Sequence, residues 1–230
     1  SATCGRDVAH LLQDANADQL RETQNAQLAT FVTSMMILDA VERLGIDAAG
    51  HAGHSLGEYS ALTASGALDF ADAVSLVVER GEAMRVAAQE PVGTMAAILG
   101  LDDADVEEAC TTVDSDVWVA NYNAPGQVVI AGSPDAVAAA SEEARARGAK
   151  RTTGLEVSGA FHTPYMAPAR NRLEEAIDRT DVRQPEGVVV ANVDAGSHTN
   201  PATWRVLMNA QLSSPVRWSQ SLRTLADAGF

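Results

Sequence analysis

A serine between two glycines carries the clearest chemical signal in the sequence. Residues 53–57 read GHSLG and match the pattern G-x-S-x-G, in which a tight turn from a strand into a helix exposes a serine hydroxyl. An apolar segment precedes this turn and a helical pattern follows it, as such a nucleophile elbow requires. The motif therefore predicts Ser55 as a nucleophile, and it predicts the backbone N–H of Leu56, at the start of the helix, as a donor to an oxyanion.

A histidine is the usual base for such a serine. Among the five histidines, His162 has the most suitable position, because it follows a predicted strand that ends near residue 157. Open α/β sheets place their sites at the carboxyl ends of strands, so we predict that His162 is the base. No acidic residue is marked by its spacing as a third member, and a backbone or side-chain carbonyl could orient the imidazole instead.

The periodicity of the apolar residues predicts an α/β protein with two lobes. Outside residues 93–156, helices alternate with strands, which indicates a mostly parallel sheet covered by helices. Within residues 93–156 the predicted order is β-α-β-β-α-β, the ferredoxin-like arrangement. We therefore predict a ferredoxin-like small lobe at residues 93–156, inserted into a discontinuous, α/β-hydrolase-like large lobe formed by residues 1–92 and 157–230.

Composition narrows the classes of partner. The 230 residues have a formal net charge of -15, from 31 Asp and Glu against 16 Lys and Arg, which argues against binding to nucleic acid or to an anionic membrane. No uninterrupted apolar stretch approaches about 18 residues, so no membrane span is expected. The two cysteines, Cys4 and Cys110, lack metal-ligand spacing, so we expect no metal site and a reducing, cytoplasmic environment.

Beyond these motifs, the sequence resembles the malonyl-CoA:acyl carrier protein transacylase family, which includes the acyltransferase domains of fatty acid and polyketide synthases. The likeness spans nearly the whole chain. It is carried by seven segments in order: GHSLGEYSAL at 53–62, ERGEAM at 79–84, GTMAAILGLDD at 93–103, NYNAPGQVVIAG at 121–132, SGAFHTPYM at 158–166, NVDA at 192–195 and QLSSPVRW at 211–218. Seven segments in the family's order are far more specific than one motif.

The resemblance implies a reaction and a set of roles. Ser55, with His162 as its base, would take a malonyl group from coenzyme A and pass it to the phosphopantetheine thiol of an acyl carrier protein. Malonyl-CoA would be the substrate and the carrier a protein partner, with no further cofactor. Arg80 would hold the free carboxylate of the malonyl group, and the carbonyl of Gln211 would orient the imidazole.

The resemblance also bears on substrate choice and on the ends of the chain. Asn123 would line the pocket. Leu56 and Phe161 resemble the residues of malonyl-selective members, and the bulk of Phe161 would leave little room for an extra methyl group. The family begins with a strand and a Gly-Gln-Gly loop and closes with further strands, so we expect this stretch to be truncated at both ends.

Three alternatives stay open at this point. Arg80 could be a solvated helix arginine paired with Glu79 or Glu82, since surface charges commonly pair in this way. The serine and the histidine could belong to a serine hydrolase, such as a thioesterase or esterase, which shares the elbow and the base. A truncated fold could instead be inactive and only bind carrier protein.

Overall fold

Helices and strands alternate through residues 5–230, the part of the chain that the computed structural model describes. Residues 1–4, including Cys4, lie outside this range. In chain order the elements are α1 (Val8–Gln13), α2 (Ala17–Arg21), α3 (Thr23–Glu42), β1 (Gly50–Ala52), α4 (Gly57–Ala64), α5 (Phe70–Ala87), β2 (Thr94–Leu99), α6 (Asp103–Thr112), β3 (Val117–Ala124), β4 (Gln127–Gly132), α7 (Pro134–Ala146), β5 (Arg151–Gly154), α8 (Ala167–Asp178), β6 (Val188–Val190), α9 (Pro201–Gln211) and α10 (Trp218–Asp227). None of the helices in this range is long and apolar enough to cross a membrane.

The strand that leads into the serine turn, β1, pairs in parallel with β6. Gly50 lies opposite Val188 and Ala52 lies opposite Val190. Within the described residues this sheet consists of these two strands, which represent the mostly parallel sheet expected from the sequence. Apolar side chains of α3, α4 and α5, such as Phe31, form a buried core beside the pair. The carboxyl end of β1 therefore enters the turn from a packed and rigid base.

Residues 93–156 form a second sheet with a core of its own. Its four strands are ordered β3-β4-β2-β5, and all neighbours are antiparallel. Helices α6 and α7 cover one face, where fully buried Val106 and Ala140 pack with Ile98 and Ile130 of the strands. The apolar core of this part is thus separate from the core around β1.

The opposite face of this sheet meets the rest of the molecule. A small apolar cluster forms there from Met95, Ala120, Val129, Ala131 and Ala160. The backbone of Val216, just before α10, continues the contact, because it donates to the oxygen of Ala120 at 2.9 Å and accepts the N–H of Tyr122 at 2.9 Å. Ala160 lies two residues before His162, so this face holds the loop that carries the histidine.

The structure corrects the predicted setting of His162. The sequence predicts a strand over residues 151–157, but β5 ends at Gly154 and belongs to the antiparallel sheet. The chain then turns so that Gly159 packs on the end of α5, where a Cβ atom would lie 2.7 Å from the Cβ of Ala88. The prediction that His162 stands at the carboxyl end of a strand is therefore wrong, because it lies in the loop before a 3-10 turn at Pro164–Met166.

Candidate active site

The turn at residues 53–57 exposes the hydroxyl of Ser55 by placing its backbone in the left-handed region, with a φ of 52°. The turn leaves no room for a side chain at Gly53, where a Cβ atom would lie 1.9 Å from the backbone oxygen of Gly57. Asn192, after β6, clamps the turn: its Oδ1 accepts the N–H of Ser55 at 2.7 Å, and its Nδ2 donates to the oxygen of Gly53 at 2.7 Å. A glycine and a buried amide thus support the strained serine.

The imidazole of His162 lies within hydrogen-bond distance of the serine. Its Nε2 is 2.7 Å from Oγ of Ser55, and its Nδ1 is 2.9 Å from the backbone oxygen of Gln211. A carbonyl oxygen only accepts hydrogen bonds, so Nδ1 carries the proton and Nε2 presents its lone pair to the hydroxyl. This is the tautomer that a general base needs. A backbone carbonyl occupies the place that a carboxylate takes in a Ser-His-Asp triad.

Burial keeps this imidazole neutral. The side chain of His162 is buried, and its desolvation, together with the nearby positive charge of Arg80, lowers its pKa to about 3. A protonated ring could not accept the serine proton. The lowered pKa therefore keeps the base in its working form at neutral pH.

Arg80, on α5, reaches the same place from below the serine. Its Nη2 is 3.0 Å from Oγ of Ser55 and 3.0 Å from Oε1 of Gln211, and its Nη1 donates to Oε1 of Gln27. Among residues 5–230 no carboxylate forms an ion pair with this guanidinium. The guanidinium also lies over the ring of Tyr59, 5.6 Å from its centroid. A buried cation whose hydrogen-bond acceptors in residues 5–230 are neutral oxygens is suited to receive an anionic ligand.

The alternative of a solvated Arg80 is wrong. The residue is only 1% exposed, although Glu79 and Glu82 on the same helix are partly exposed. Glu79 pairs with Arg172 of α8, and Glu82 pairs with Arg85 at 2.7 Å. Both glutamates thus have other partners, and the helix turns Arg80 inward.

An open cleft of about 330 Å³ leads to these groups. It is lined by Arg21, Thr23, Ala26, Gln27, Thr30, His54, Ser55, Leu56, Arg80, Met84, Val157 and Phe161. The backbone N–H of Leu56, at the start of α4, has no acceptor within the described part of the chain, so it is free to donate to a developing oxyanion. An acyl group whose carbonyl meets Ser55 would extend toward Arg80.

Two further residues predicted from the sequence occupy different positions. Phe161 lines the cleft directly. Asn123 is not among the lining residues, and its Oδ1 lies 2.8 Å from Nε2 of His54, which does line the cleft. Asn123 therefore bears on the cleft through its contact with a histidine beside the nucleophile.

Three buried polar residues of the site were not predicted from the sequence: Gln27, Glu58 and Asn192. Gln27 lies one helical turn before Phe31, on a face of α3 that is otherwise apolar. Glu58 likewise lies on the inward side of α4 and is fully buried. A polar residue on an apolar helical face is the signal that could have found both, since such residues are rarely buried without a partner.

Comparison with known proteins places this site in a family. Residues 1–230 match the family described as acyl transferase domain. The chain belongs to the acyl transferase domain family. The resemblance carried by the seven sequence segments is thereby confirmed at the level of the family, and the α/β fold with its parallel strand pair is that of an acyl transferase.

Two curated acyl transferases are similar to the chain along nearly all of its length. The malonyl CoA-acyl carrier protein transacylase of Bacillus subtilis (strain 168) is 42% identical over 225 residues, which cover 96% of this chain and 71% of that protein. The protein of the same name from Escherichia coli (strain K12) is 41% identical over 232 residues, which cover 100% of this chain and 75% of that protein.

A solved structure is also similar. It contains a malonyl-transacylase in complex with its holo type II PKS acyl-carrier protein. The TM-score is 0.95 at 37% identity, and the match covers 100% of this chain and 75% of that one. The likeness therefore extends over every element of the present acyl transferase.

Proposed function

We propose that the chain transfers a malonyl group from coenzyme A to the phosphopantetheine thiol of an acyl carrier protein, through an ester on Ser55. One observation carries the proposal: Oγ of Ser55 lies 2.7 Å from a neutral imidazole and 3.0 Å from a buried guanidinium. The first contact supplies a base for acyl transfer, and the second supplies a cation for a dicarboxylic acyl group. The names of the similar proteins describe the same transfer.

In the first half of the reaction, Nε2 of His162 takes the proton of Ser55 as Oγ attacks the thioester carbon. The negative charge that develops on the carbonyl oxygen is stabilised by the N–H of Leu56. The C–S bond then breaks, and His162 returns the proton to the departing thiolate of coenzyme A. The malonyl group stays on the serine as an ester.

In the second half, the thiol of the carrier arm loses its proton to His162 and attacks the ester. The C–O bond breaks, and the proton returns to Oγ of Ser55. The exchange conserves oxidation state and charge, so our proposal includes coenzyme A thioester as substrate and no metal or redox cofactor.

Arg80 would select the acyl group. A guanidinium binds a carboxylate through two parallel hydrogen bonds, and in a buried site an acetyl group would leave that charge unpaired. An unpaired buried charge costs roughly 2 to 5 kcal/mol, which is enough to decide between two substrates. Phe161, on the wall of the cleft, would disfavour a branched acyl group by about 1 to 3 kcal/mol.

Intact-protein mass spectrometry after mixing with malonyl-CoA is the direct test. The wild-type chain should gain one malonyl group, and the label should move to a carrier protein when one is added. Ser55→Ala should gain none, and a Ser55→Ala chain that still acquires the label would refute the assignment. Release of free malonate without a carrier, with neutral esters cleaved equally well by Arg80→Ala, would indicate the serine hydrolase instead.

The proposal includes an architecture for the two lobes. Residues 93–156 would be a ferredoxin-like lobe inserted into an α/β-hydrolase-like unit of residues 1–92 and 157–230. The strand order β3-β4-β2-β5 and the separate apolar core support this division. Limited proteolysis should cut first near residues 92 and 156. The proposed location is the cytoplasm, which cell fractionation would test.

A further inference from the structure

A chain of buried polar side chains runs beneath the nucleophile, and we call it the polar floor: Arg80, Gln211, Glu58 and Asn192. All four are at most 1% exposed. Nη2 of Arg80 donates to Oε1 of Gln211 at 3.0 Å, and Nε2 of Gln211 donates to Oε1 of Glu58 at 2.9 Å. The other carboxylate oxygen of Glu58 accepts the backbone N–H of Asn192 at 2.6 Å. The proposed reaction assigns no role to Glu58.

The hydrogen bonds of the polar floor run in one direction, and Glu58 is one of the groups that fix it. A side-chain amide can turn over and exchange its oxygen with its nitrogen, and only its partners decide which orientation is favoured. Nε2 of Gln211 faces two groups that only accept, the carboxylate of Glu58 and the backbone oxygen of Ser55 at 2.9 Å. Oε1 must then face Arg80, whose guanidinium only donates. If the amide were reversed, its NH2 group would face the guanidinium of Arg80, and both groups only donate.

We propose that Glu58 is a positioning residue that fixes the amide of Gln211 and thereby holds Arg80 in place to bind the carboxylate of the acyl group. This inference rests on the proposed function. Glu58 touches neither the serine hydroxyl nor the cleft. We assign its effect on selectivity between acyl groups to its contact with Gln211.

The cost of burying Glu58 supports a specific role. Desolvation raises its pKa to about 7, against the hydrogen bonds from Asn192 and Gln211 and the charge of Arg80, which lower it. The charge of Asp194 also raises it. Both groups in contact with the carboxyl donate hydrogen bonds, so both favour the ionised form, which alone accepts through both oxygens. A neutral side chain here would remove one of the two acceptors that favour this orientation of the amide and leave the backbone oxygen of Ser55 as the other.

The test measures a ratio rather than a rate. Acylation of Ser55 is followed by mass spectrometry with malonyl-CoA and with acetyl-CoA, and the two kcat/KM values are divided. We expect Glu58→Gln to lower this malonyl preference by about tenfold or more, because the guanidinium loses its fixed partner. Gln211→Met, which keeps the backbone carbonyl that orients His162, should lower the preference by a similar factor.

The double variant Glu58→Gln/Gln211→Met separates positioning from general support. If Glu58 acts through Gln211, the double variant should lose no more than about twofold beyond the single ones, because both substitutions remove the same interaction. A matched control is Glu79→Gln, which directly precedes Arg80 on α5 but pairs with Arg172, and which should leave the preference unchanged.

Several outcomes would overturn the inference. Equal losses with both substrates, an unchanged preference, or additive effects in the double variant would show that Glu58 only supports the fold. If circular dichroism shows Glu58→Gln to be unfolded, an unchanged preference in Gln211→Met would still refute it. A wild-type chain that forms no malonyl-serine contradicts the proposed function, whereas a malonyl-selective wild type with equally selective variants contradicts this inference alone.

Discussion

The apolar core of residues 93–156 and the polar floor of the cleft are buried to the same degree, but they consist of opposite kinds of residue. Between the antiparallel sheet and helices α6 and α7 the buried side chains are apolar, among them Ile98 and Val106. Beneath Ser55 the buried side chains are charged or carry amides, with Arg80 and Glu58 the most costly of them. Burial of apolar surface stabilises without direction, whereas a buried polar group repays its desolvation only through hydrogen bonds of correct geometry.

The two regions should therefore differ in what a substitution changes. An apolar core tolerates small changes of shape at a modest cost. A polar network loses its function when one partner is displaced, because the groups left behind are buried and unpaired. Substitutions in the two regions should therefore separate the free energy of unfolding from the rate of acylation.

The largest effect on the acylation rate, relative to stability, is expected at His162. His162→Ala should slow acylation of Ser55 by about 100- to 10,000-fold, since no other group takes the serine proton. The matched control is His54→Ala, at the histidine that adjoins the serine but bonds to Asn123. It should slow acylation by less than about tenfold. Stopped reactions analysed by mass spectrometry provide both rates, and similar rates for the two variants would contradict the assignment of His162 as the base.

A second substitution, in the backbone turn that carries Ser55, should affect stability and acylation together. Gly53→Ala should lower the free energy of unfolding by about 3 kcal/mol or more and abolish acylation, because the added carbon overlaps the oxygen of Gly57. Gly57→Ala is the control, since a Cβ atom there meets nothing within 4 Å. Urea denaturation measures both. A stable, active Gly53→Ala chain would show that the turn has room for a side chain at this position.

In the apolar core beneath α6 and α7, substitutions should lower the free energy of unfolding and leave the acylation rate unchanged. Ile98→Val removes one buried methylene and should lower the free energy of unfolding by about 1 kcal/mol, with the acylation rate unchanged. Val206→Ala, at an exposed site on α9, should change stability by less than about 0.5 kcal/mol. A fall in acylation rate with Ile98→Val in fully folded protein would show that this apolar core also affects the chemistry at Ser55.

The smallest effect is an absence of pH dependence. With its pKa lowered to about 3, His162 stays neutral at pH 5.5, so kcat/KM for acylation by acetyl-CoA, which has no carboxylate for Arg80 to bind, should change less than about twofold from pH 7. A histidine with a pKa of about 6.5 would lose about tenfold over the same range. The contribution of His162 to stability should fall as the pH drops below about 6.5, because only the unfolded chain then takes up its proton, whereas the contribution of Glu58, whose pKa is raised to about 7, should change in the opposite direction. A tenfold loss of rate in folded protein would contradict the lowered pKa.

Much of the secondary structure could be predicted because its signals are local. The order β-α-β-β-α-β predicted for residues 93–156 is found there as β2-α6-β3-β4-α7-β5. Alternation and helical periodicity need only a few neighbouring residues. The strand predicted over residues 151–157 extends too far for the same reason: residues 155–157 continue its apolar pattern, but β5 ends at Gly154.

Prediction of the site residues was likewise limited to those with a local signal. The glycines around Ser55 predict a tight turn, and at Gly53 a side chain does not fit. Nothing local marks Asn192, and the helical pattern around Glu58 does not show what its carboxylate binds, because the partners of both residues lie more than a hundred positions away along the chain. Their roles depend on which donors and acceptors the packing brings face to face.

The order of residues alone was enough to predict a nucleophilic serine and a helix-and-strand framework in two parts, because backbone geometry and apolar spacing act over short stretches. The fold had to decide the rest: that a backbone oxygen of Gln211 holds the imidazole, that Arg80 turns inward without a carboxylate partner, and that Glu58 orients the amide between them. These are contacts between distant segments, and hydrogen-bond direction in a buried site exists only once every neighbour is in place.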